Sequence, residues 1–381
     1  MNIQHTTDQY VAGTYARFPV SFVRGKGSLL WDEQGHEYID LGSGIAVNTF
    51  GHADEAWAAA VSEQLLTLAH TSNLYYTAPQ AQLAELLCQR TGLQRVFFSN
   101  SGAEANECMI KCARKWGGDR TTIVTLEGSF HGRTITTLAA TGQEMFHHDF
   151  GPFPAGFKYA KPNDLDDMLA KLDDSCCAIM LEPVQGESGV LVLEIDYLQA
   201  VAQLCIERDM LLLLDEVQTG NGRLGSLYAF QQLGIVPDIM STAKGLGGGL
   251  PIGATLFGQK TAGILTPGTH GSTFGGNPAC AAGALHLLSR IDDTLLAEVQ
   301  AKSDYIRARL QGAPGVLGIS GMGLMLGIAV ERPAIDIVKA CLDQGVALLT
   351  AKDKVRLLPA LNIPMELLER GINVLLKTLG T

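Results

Sequence analysis

Short apolar runs alternate with helical stretches over the middle of the chain, from about residue 80 to residue 260. The runs have the length of buried strands, whereas the stretches between them carry apolar residues at helical spacing. The predicted strands are RVFFSN, TTIVTLE, CCAIMLEPV, MLLLLDEV, PDIMSTAK and GATLFG, and the predicted helices include QAQLAELLCQRT, GAEANECMIKCARKW and DYLQAVAQLCIERD. This alternation predicts an α/β domain with a mainly parallel sheet.

The pattern changes after about residue 276. Two helices, PACAAGALHLLSR and DTLLAEVQAKSDYIRARLQ, precede two apolar runs that glycines interrupt and a final helix near residues 364–379. This predicts a smaller α/β domain. Near the start of the chain, GSLLWDEQGHEYIDL is typical of a hairpin. We therefore predict an N-terminal segment, 1–45, that packs with the smaller domain, a large domain at 46–275 and the small domain at 276–381.

Composition narrows the class of protein. Hydrophobic residues make up 46% and charged residues 18% of the 381 residues, as in an ordinary globular protein. The net charge of −11 argues against a nucleic acid or an anionic membrane as partner. No apolar run approaches the roughly 20 residues of a membrane helix. The eight cysteines contain no C-x-x-C pair, and MNIQHTTDQY is not typical of a signal peptide, so we expect free thiols and a cytoplasmic location.

Ligands of parallel α/β sheets lie beyond the carboxyl ends of the strands, so the polar residues that follow each run are the candidates. Ser101, Gly102 and Ala103 open a helix, whose N-terminus either binds an anion or is merely capped by the serine. Asp215 ends the strongly apolar run LLLLD. A buried carboxylate needs a partner, which is either an arginine or a protonated heterocyclic nitrogen.

Lys244 follows the next predicted strand and precedes a cluster of glycines. A P-loop has its lysine after the glycines, and GLGGGL does not match the dinucleotide fingerprint. The lysine is therefore a salt-bridge partner or an amine nucleophile whose pKa burial lowers. In EGSFHGRT, Phe130 is suited to cover a ring and Arg133 to bind a carboxylate. The alternative is a packed phenylalanine and a surface ion pair.

Taken together, these strand ends suit one ligand. A phosphate would lie at the helix N-terminus, Asp215 at a ring nitrogen, Phe130 on the ring face and Lys244 at an aldehyde. A planar, phosphorylated heterocyclic aldehyde is pyridoxal phosphate. We therefore predict this cofactor.

Motifs along nearly the whole chain resemble those of the class III aminotransferases. They are, in order, GSLLWDEQGHEYIDLGSGIAVNTFGH, SNSGAEANE, FHGRT, EPVQGESGV, LLDEVQTGNGRLG, STAKGLGGGLPIGA, HGSTFGGNP and VRLLPALNI. HTSNLYYT and GLMLGI are most similar to the members that act on ornithine and its acylated derivatives. The resemblance implies fold type I, with a mainly parallel seven-stranded sheet flanked by helices in the large domain.

The resemblance also implies a role for individual residues at the cofactor. Lys244 should carry the aldehyde as a Schiff base, Asp215 should keep the ring nitrogen protonated, and Gln218 should bind the ring hydroxyl. The other expected cofactor contacts are Ser101, Gly102 and Ala103 at the phosphate, Phe130 and Val217 on the two ring faces, and Thr273 at the phosphate of a neighbouring subunit. A homodimer is therefore implied.

For the substrate, the resemblance implies that Arg133 binds the α-carboxylate. Arg356 is the arginine that Glu187 neutralises until 2-oxoglutarate brings a second carboxylate. The remaining expected substrate contacts are Tyr15, Asn48 and Ser272. The predicted reaction moves the terminal amine of N-acetylornithine, or of a related ornithine derivative, to 2-oxoglutarate, which yields a semialdehyde and glutamate.

Three alternatives remain at this point. Within the family, the enzyme is an aminomutase or another ω-aminotransferase, acting on ornithine, succinylornithine or 4-aminobutyrate. Outside it, a nicotinamide-dependent oxidoreductase would bind NADH, and a non-catalytic binding protein would lack Lys244 or Asp215. We expect no metal site, because His147, His148 and Asp149 are typical of a polar loop.

Overall fold

A computed structural model describes residues 2–380. Its central sheet has seven strands, which are labelled in chain order. Across the sheet they lie in the order β4 (Arg95–Ser99), β12 (Gly253–Phe257), β11 (Ile239–Thr242), β10 (Leu211–Asp215), β7 (Cys176–Leu181), β5 (Thr122–Leu126) and β6 (Phe157–Ala160). Strand β12 runs antiparallel to both of its neighbours, and every other pair is parallel. The predicted mainly parallel, seven-stranded α/β sheet is confirmed.

Helices bury both faces of this sheet. Along β10, Leu211 and Leu213 belong to one apolar cluster, and Leu212 and Leu214 belong to the other. The first cluster contains residues of α5 (Gly102–Gly117), and the second contains residues of α8 (Ile195–Glu207). Since successive strand residues point to opposite faces, β10 must be apolar throughout, as its sequence is.

Three smaller sheets accompany the central one. The remaining strands are β1 (Phe22–Lys26), β2 (Leu29–Asp32), β3 (Glu37–Asp40) and β15 (Val346–Ala347) in one sheet, β13 (Val316–Met322), β14 (Met325–Val330), β17 (Lys354–Leu357) and β16 (Leu349–Ala351) in the second, and β8 (Val184–Gln185) with β9 (Leu191–Val192) in the third. The predicted hairpin is β2–β3, and β3 pairs in parallel with β15. The N-terminal strands thus join the C-terminal part of the chain, although the division into domains stays a prediction.

The predicted helices are all present. The other helices are α1 (Ile3–Tyr10), α2 (Ser43–Ala46), α3 (Glu55–Thr67), α4 (Ala78–Thr91), α6 (Ile135–Ala140), α7 (Leu165–Lys171), α9 (Phe230–Leu233), α10 (Pro278–Ser289), α11 (Asp293–Leu310), α12 (Ala334–Leu342) and α13 (Met365–Leu379). Over residues 2–380, none of the helices is both long and apolar enough to traverse a lipid bilayer.

Candidate active site

A cavity of about 470 Å³ lies at the carboxyl edge of the central sheet. Strands β4, β5, β7, β10 and β11 all end there, because β12 alone runs the opposite way. Most of the site residues predicted from sequence line this cavity: Ser101, Gly102, Ala103, Phe130, Arg133, Glu187, Asp215, Val217, Gln218 and Lys244.

The first turn of α5 forms one wall of the cavity. Ser101 caps the helix, since its Oγ accepts a hydrogen bond from the Glu104 main-chain N–H at 3.2 Å. A Cβ atom on Gly102 would lie 2.7 Å from Cγ1 of Val217, so only glycine lets the helix approach this closely. Ser101 is therefore both a cap and a cavity residue, and the positive end of the helix dipole is directed at the cavity.

Asp215 is held by the N–H groups of an asparagine, a histidine and the main chain, and not by an arginine. Its Oδ2 accepts from Nδ2 of Asn106 at 2.7 Å and from Nδ1 of His131 at 2.8 Å, and its Oδ1 accepts from the Val217 N–H at 3.0 Å. The residue is 4% exposed. Of the two sequence alternatives, the structural ion pair with arginine is not present among residues 2–380. The carboxylate stays available to a ligand.

Lys244 follows β11 with a backbone φ of +42°, an uncommon conformation for a residue with a side chain. Within residues 2–380, its amine forms neither an ion pair nor a hydrogen bond. Burial lowers the pKa of Lys244, although the carboxylates of Glu187 and Asp215 act in the opposite direction. An unpaired amine with a lowered pKa favours the nucleophile over the salt-bridge alternative.

Arg133 is exposed and stacks on aromatic rings. Its guanidinium lies 4.0 Å from the ring centroid of Phe146 and 5.4 Å from that of Phe130. The two rings meet edge to face at 6.0 Å. Since the described chain gives Arg133 no carboxylate partner, its guanidinium can bind an anionic group at the rim of the cavity.

Arg356 and Glu187 form an ion pair beside the cavity. Nη1 of Arg356, on β17, lies 2.7 Å from Oε1 of Glu187 and donates also to the carbonyl of Gly186 at 3.3 Å. Arg356 is 3% exposed, whereas the Glu187 side chain is 35% exposed and lines the cavity. A substrate can therefore reach the carboxylate more easily than the guanidinium.

The structure places the other predicted site residues outside this cavity. Ser272 contacts the lining of the cavity, since its Oγ accepts a hydrogen bond from Nδ2 of the cavity residue Asn100 at 3.2 Å. Thr273, the next residue in the chain, is exposed to solvent. Tyr15 is 73% exposed, and Asn48 lines two neighbouring cavities.

Glu182 and Asn106 are among the cavity residues that the sequence prediction missed. Glu182 directly follows β7, and its Oε1 accepts from the Phe130 N–H at 2.8 Å. Burial raises the pKa of Glu182 to about 7. The strand-end rule that selected Asp215 applies equally to Glu182. Asn106 lies on the buried face of α5, where a lone polar residue among apolar ones was the available signal.

The fold and the cavity define an α/β enzyme with a lysine amine, a buried carboxylate and a helix N-terminus gathered at one sheet edge. The family model described as "Aminotransferase class-III" matches residues 10–379. The chain belongs to this family and is an aminotransferase.

Known relatives cover almost the full length of the chain. An acetylornithine aminotransferase from Haemophilus ducreyi is 51% identical over 99% of this chain and 98% of its own. A succinylornithine transaminase from Salmonella enteritidis is 43% identical over 96% of this chain and 93% of its own. The structure of the ornithine aminotransferase from Toxoplasma gondii is 31% identical to this chain and superposes on it with a TM-score of 0.94. The superposition covers 99% of this chain and 93% of that one. In that structure PLP partially occupies the active site.

Proposed function

We propose that the cavity binds pyridoxal phosphate and that the enzyme transfers the terminal amine of N-acetylornithine, or of a closely related ornithine derivative, to 2-oxoglutarate. The names of the relatives in Haemophilus and Salmonella support the substrate class. The observation that carries the proposal is the Lys244 amine, which has no ionic partner within residues 2–380 and shares a cavity with Asp215.

Unpartnered polar atoms in the cavity fit this cofactor. Oε1 of Gln218 and Nε2 of His131 are buried and have no hydrogen-bond partner within residues 2–380. A buried polar atom left unpaired is costly, so a polar ligand beside these atoms is favoured. Gln218 would hold the ring hydroxyl, and Asp215 would hold the ring nitrogen. The remaining contacts would be Ser101, Gly102 and Ala103 at the phosphate, and Phe130 and Val217 on the ring faces.

Bound pyridoxal phosphate supplies an electron-withdrawing ring that stabilises negative charge developing at the substrate carbon. Asp215 would hold a proton on the ring nitrogen, and His131 and Asn106 orient its carboxylate. Lys244 would hold the cofactor at its aldehyde carbon. Because its pKa is lowered, Nζ of Lys244 is suited to take a proton from the substrate carbon and to return it.

The two arginines divide the recognition of substrates. Arg133, exposed at the rim, would bind the α-carboxylate of the donor. While the donor presents its terminal amine, the ion pair between Glu187 and Arg356 stays closed. The second carboxylate of 2-oxoglutarate would displace Glu187 and bind Arg356, so one site accepts both substrates in turn.

We further propose a homodimer in which Thr273 reaches the cofactor phosphate of the partner subunit. Thr273 is exposed beside Ser272, which is bonded to the cavity residue Asn100. The loop of Thr273 carries the exposed Phe274 and is bonded to Asn73, which precedes the exposed side chains Leu74, Tyr75 and Tyr76; these four residues form an exposed apolar surface. Such a surface favours burial against another protein chain.

The proposal is tested by the absorbance spectrum of the purified protein with a panel of donors: N-acetylornithine, succinylornithine, ornithine and 4-aminobutyrate. We expect a yellow chromophore that each productive donor bleaches and 2-oxoglutarate restores, with the acylated ornithines giving the highest kcat/KM. Lys244→Ala should lose turnover entirely. A protein that takes up no pyridoxal phosphate, or a Lys244→Ala variant of near-normal activity, would refute the assignment; preference for 4-aminobutyrate would overturn the substrate alone.

A further inference from the structure

The carbonyl groups of the two residues that flank Lys244 are bonded to buried side chains that come from other parts of the chain. Nδ2 of Asn221 donates to the carbonyl of Ala243 at 3.1 Å, and Oγ1 of Thr49 donates to the carbonyl of Gly245 at 2.7 Å. Thr49 and Asn221 are each 2% exposed. The backbone of Lys244 and that of Gly245 lie between these two carbonyls, and Lys244 has a positive φ.

Asn221 connects two strand ends of the site. It belongs to the loop that follows Asp215, and its Nδ2 donates also to Oγ1 of Thr242, the last residue of β11, at 3.1 Å. Its own φ of +58° suits asparagine better than most residues. The orientation of the amide is fixed, because the carbonyl of Ala243 can only accept and so requires the NH2 group.

Thr49 contacts Gly245, the residue that follows the lysine. A Cβ atom on Gly245 would lie 2.8 Å from Oγ1 of Thr49 and 3.2 Å from Cβ of Asn221, so the two side chains enclose this residue. The main chain of Thr49 is itself held, since its carbonyl accepts from the Leu361 N–H at 2.9 Å. Neither Thr49 nor Asn221 lines the cavity.

We propose that Thr49 and Asn221 are positioning residues for Lys244, which act by holding its two flanking carbonyls and thereby its left-handed backbone. This inference rests on the proposed role of Lys244 at the cofactor. A residue with a side chain resists positive φ, so loss of either donor lets the 243–245 backbone relax. Because the direction of Cβ depends on φ, relaxation displaces Nζ from the atoms between which it moves the proton. Small displacements of a catalytic group have large effects on rate.

The experiment uses the holoenzyme with Thr49→Val, which keeps the side-chain shape but removes the donor, and Thr49→Ser, which restores it. We expect Thr49→Val to lower kcat by about tenfold or more with KM changed by less than about twofold. We expect Thr49→Ser to stay within about threefold of the native kcat. Asn221→Gly, which accepts the positive φ but lacks the donor, should behave like Thr49→Val.

The second readout is the pH midpoint of the absorbance change of the bound cofactor, which reports the environment of the lysine linkage. Thr49→Val and Asn221→Gly should both move this midpoint, and Thr49→Ser should restore it. The matched control is Thr261→Val: Thr261 is also buried and donates to a carbonyl, that of Asp238 at 2.8 Å, but it does not line the cavity. The control should keep the native midpoint and kcat.

Native kcat and midpoint in Thr49→Val and Asn221→Gly would overturn the inference, even if the variants melt at lower temperature, because that pattern describes a purely structural role. An equal shift of the midpoint in Thr261→Val would overturn it too. Failure of the proposed function looks different, since the native protein itself would then lack the chromophore.

Discussion

Glu182 is a buried carboxylate that the strand-end pattern predicts as well as it predicts Asp215. It is 6% exposed, and burial raises the pKa of Glu182 to about 7 from an ordinary value of 4.5. In the unfolded chain the same carboxyl group titrates near its ordinary value. Folding therefore favours the protonated form, and the stability that Glu182 contributes is present at low pH and is lost as pH rises through about 7.

Glu182→Gln should remove this dependence, because the amide cannot ionise and its Oε1 still accepts from the Phe130 N–H. Relative to the variant, the native protein should lose free energy of unfolding as the pH rises from about 4.5 to about 7, by about 3 kcal/mol at most, given the pKa difference. Denaturant titrations of the cofactor-free proteins across this range measure it. Glu369→Gln, on the exposed face of α13, is the control and should follow the native curve. Native and Glu182→Gln curves that run parallel would contradict the pKa direction.

The residues that the strand-end rule could find differ from those it could not in how far their partners lie along the chain. Ser101, Asp215 and Lys244 follow strands whose apolar pattern is plain in the sequence. Asn106 takes its role from a contact with Asp215, which is 109 positions away, and no local pattern records it. The same holds for Thr49, whose hydrogen bond to Gly245 spans 196 positions.

Among the elements, the fully buried strands of the central sheet were predicted, whereas the edge strand β6 and the short strands β15 and β16 were not. Strands such as β10 are apolar at every position because helices cover both faces. The edge strand β6 is only half-buried, and β15 and β16 have two and three residues. The turn at α2 is left-handed, with positive φ at Ser43, Gly44, Ile45 and Ala46. The sequence does not predict this turn, because three of the four residues carry side chains, which disfavour positive φ.

The close approach of α5 to the Asp215 loop gives a prediction at this scale. In Gly102→Ala the new Cβ would lie 2.7 Å from Val217 Cγ1, so either the first turn of the helix or Val217 must move, and both line the cavity. We expect the Kd for pyridoxal phosphate to rise by about tenfold or more, equivalent to about 1.4 kcal/mol. Titration of the cofactor-free protein followed by absorbance measures it.

The control for this change is Gly318→Ala on β13, where a new Cβ meets nothing within 4 Å. It should bind the cofactor as the native protein does. In Gly102→Ala, the alanine is a better helix former than the glycine that it replaces, so a change in helix stability alone would not weaken cofactor binding. Equal affinities of Gly102→Ala and the native protein would show that the first turn of α5 yields without disturbing the cavity.

At the scale of the whole molecule, the N-terminal and C-terminal segments are bonded to each other close to Arg356. The N–H of Leu358 donates to the carbonyl of Leu41 at 2.7 Å, shortly after Arg356 in the chain. Arg223, in the loop after Asp215, is buried and donates to the carbonyls of Leu324 and Pro359. Burial without a carboxylate lowers the pKa of Arg223 to about 9. The C-terminal segment that carries Arg356 is thus bonded both to the N-terminal segment and to the loop that follows Asp215.

Residues next to the exposed apolar surface hold the loop that contains Thr273. Nδ2 of Asn73 donates to the carbonyls of Ser272 and Gly275, at 3.1 and 2.8 Å, and the ring of His70 lies 5.2 Å from that of Phe274. On this surface Leu74 is 87% exposed. Burial of such side chains by a second subunit would order the loop of Thr273, so assembly and cofactor binding are expected to depend on each other.

Leu74→Glu places a charge on this surface and should therefore dissociate the proposed dimer and weaken cofactor binding together. Sedimentation velocity over a range of protein concentrations should show dimers for the native protein and monomers for the variant, and specific activity should fall in proportion to the loss of dimer. Val236→Glu, which charges a side chain that is 75% exposed elsewhere, should remain dimeric and active. A Leu74→Glu monomer of native activity would mean that one chain completes the site and that Thr273 serves no partner subunit.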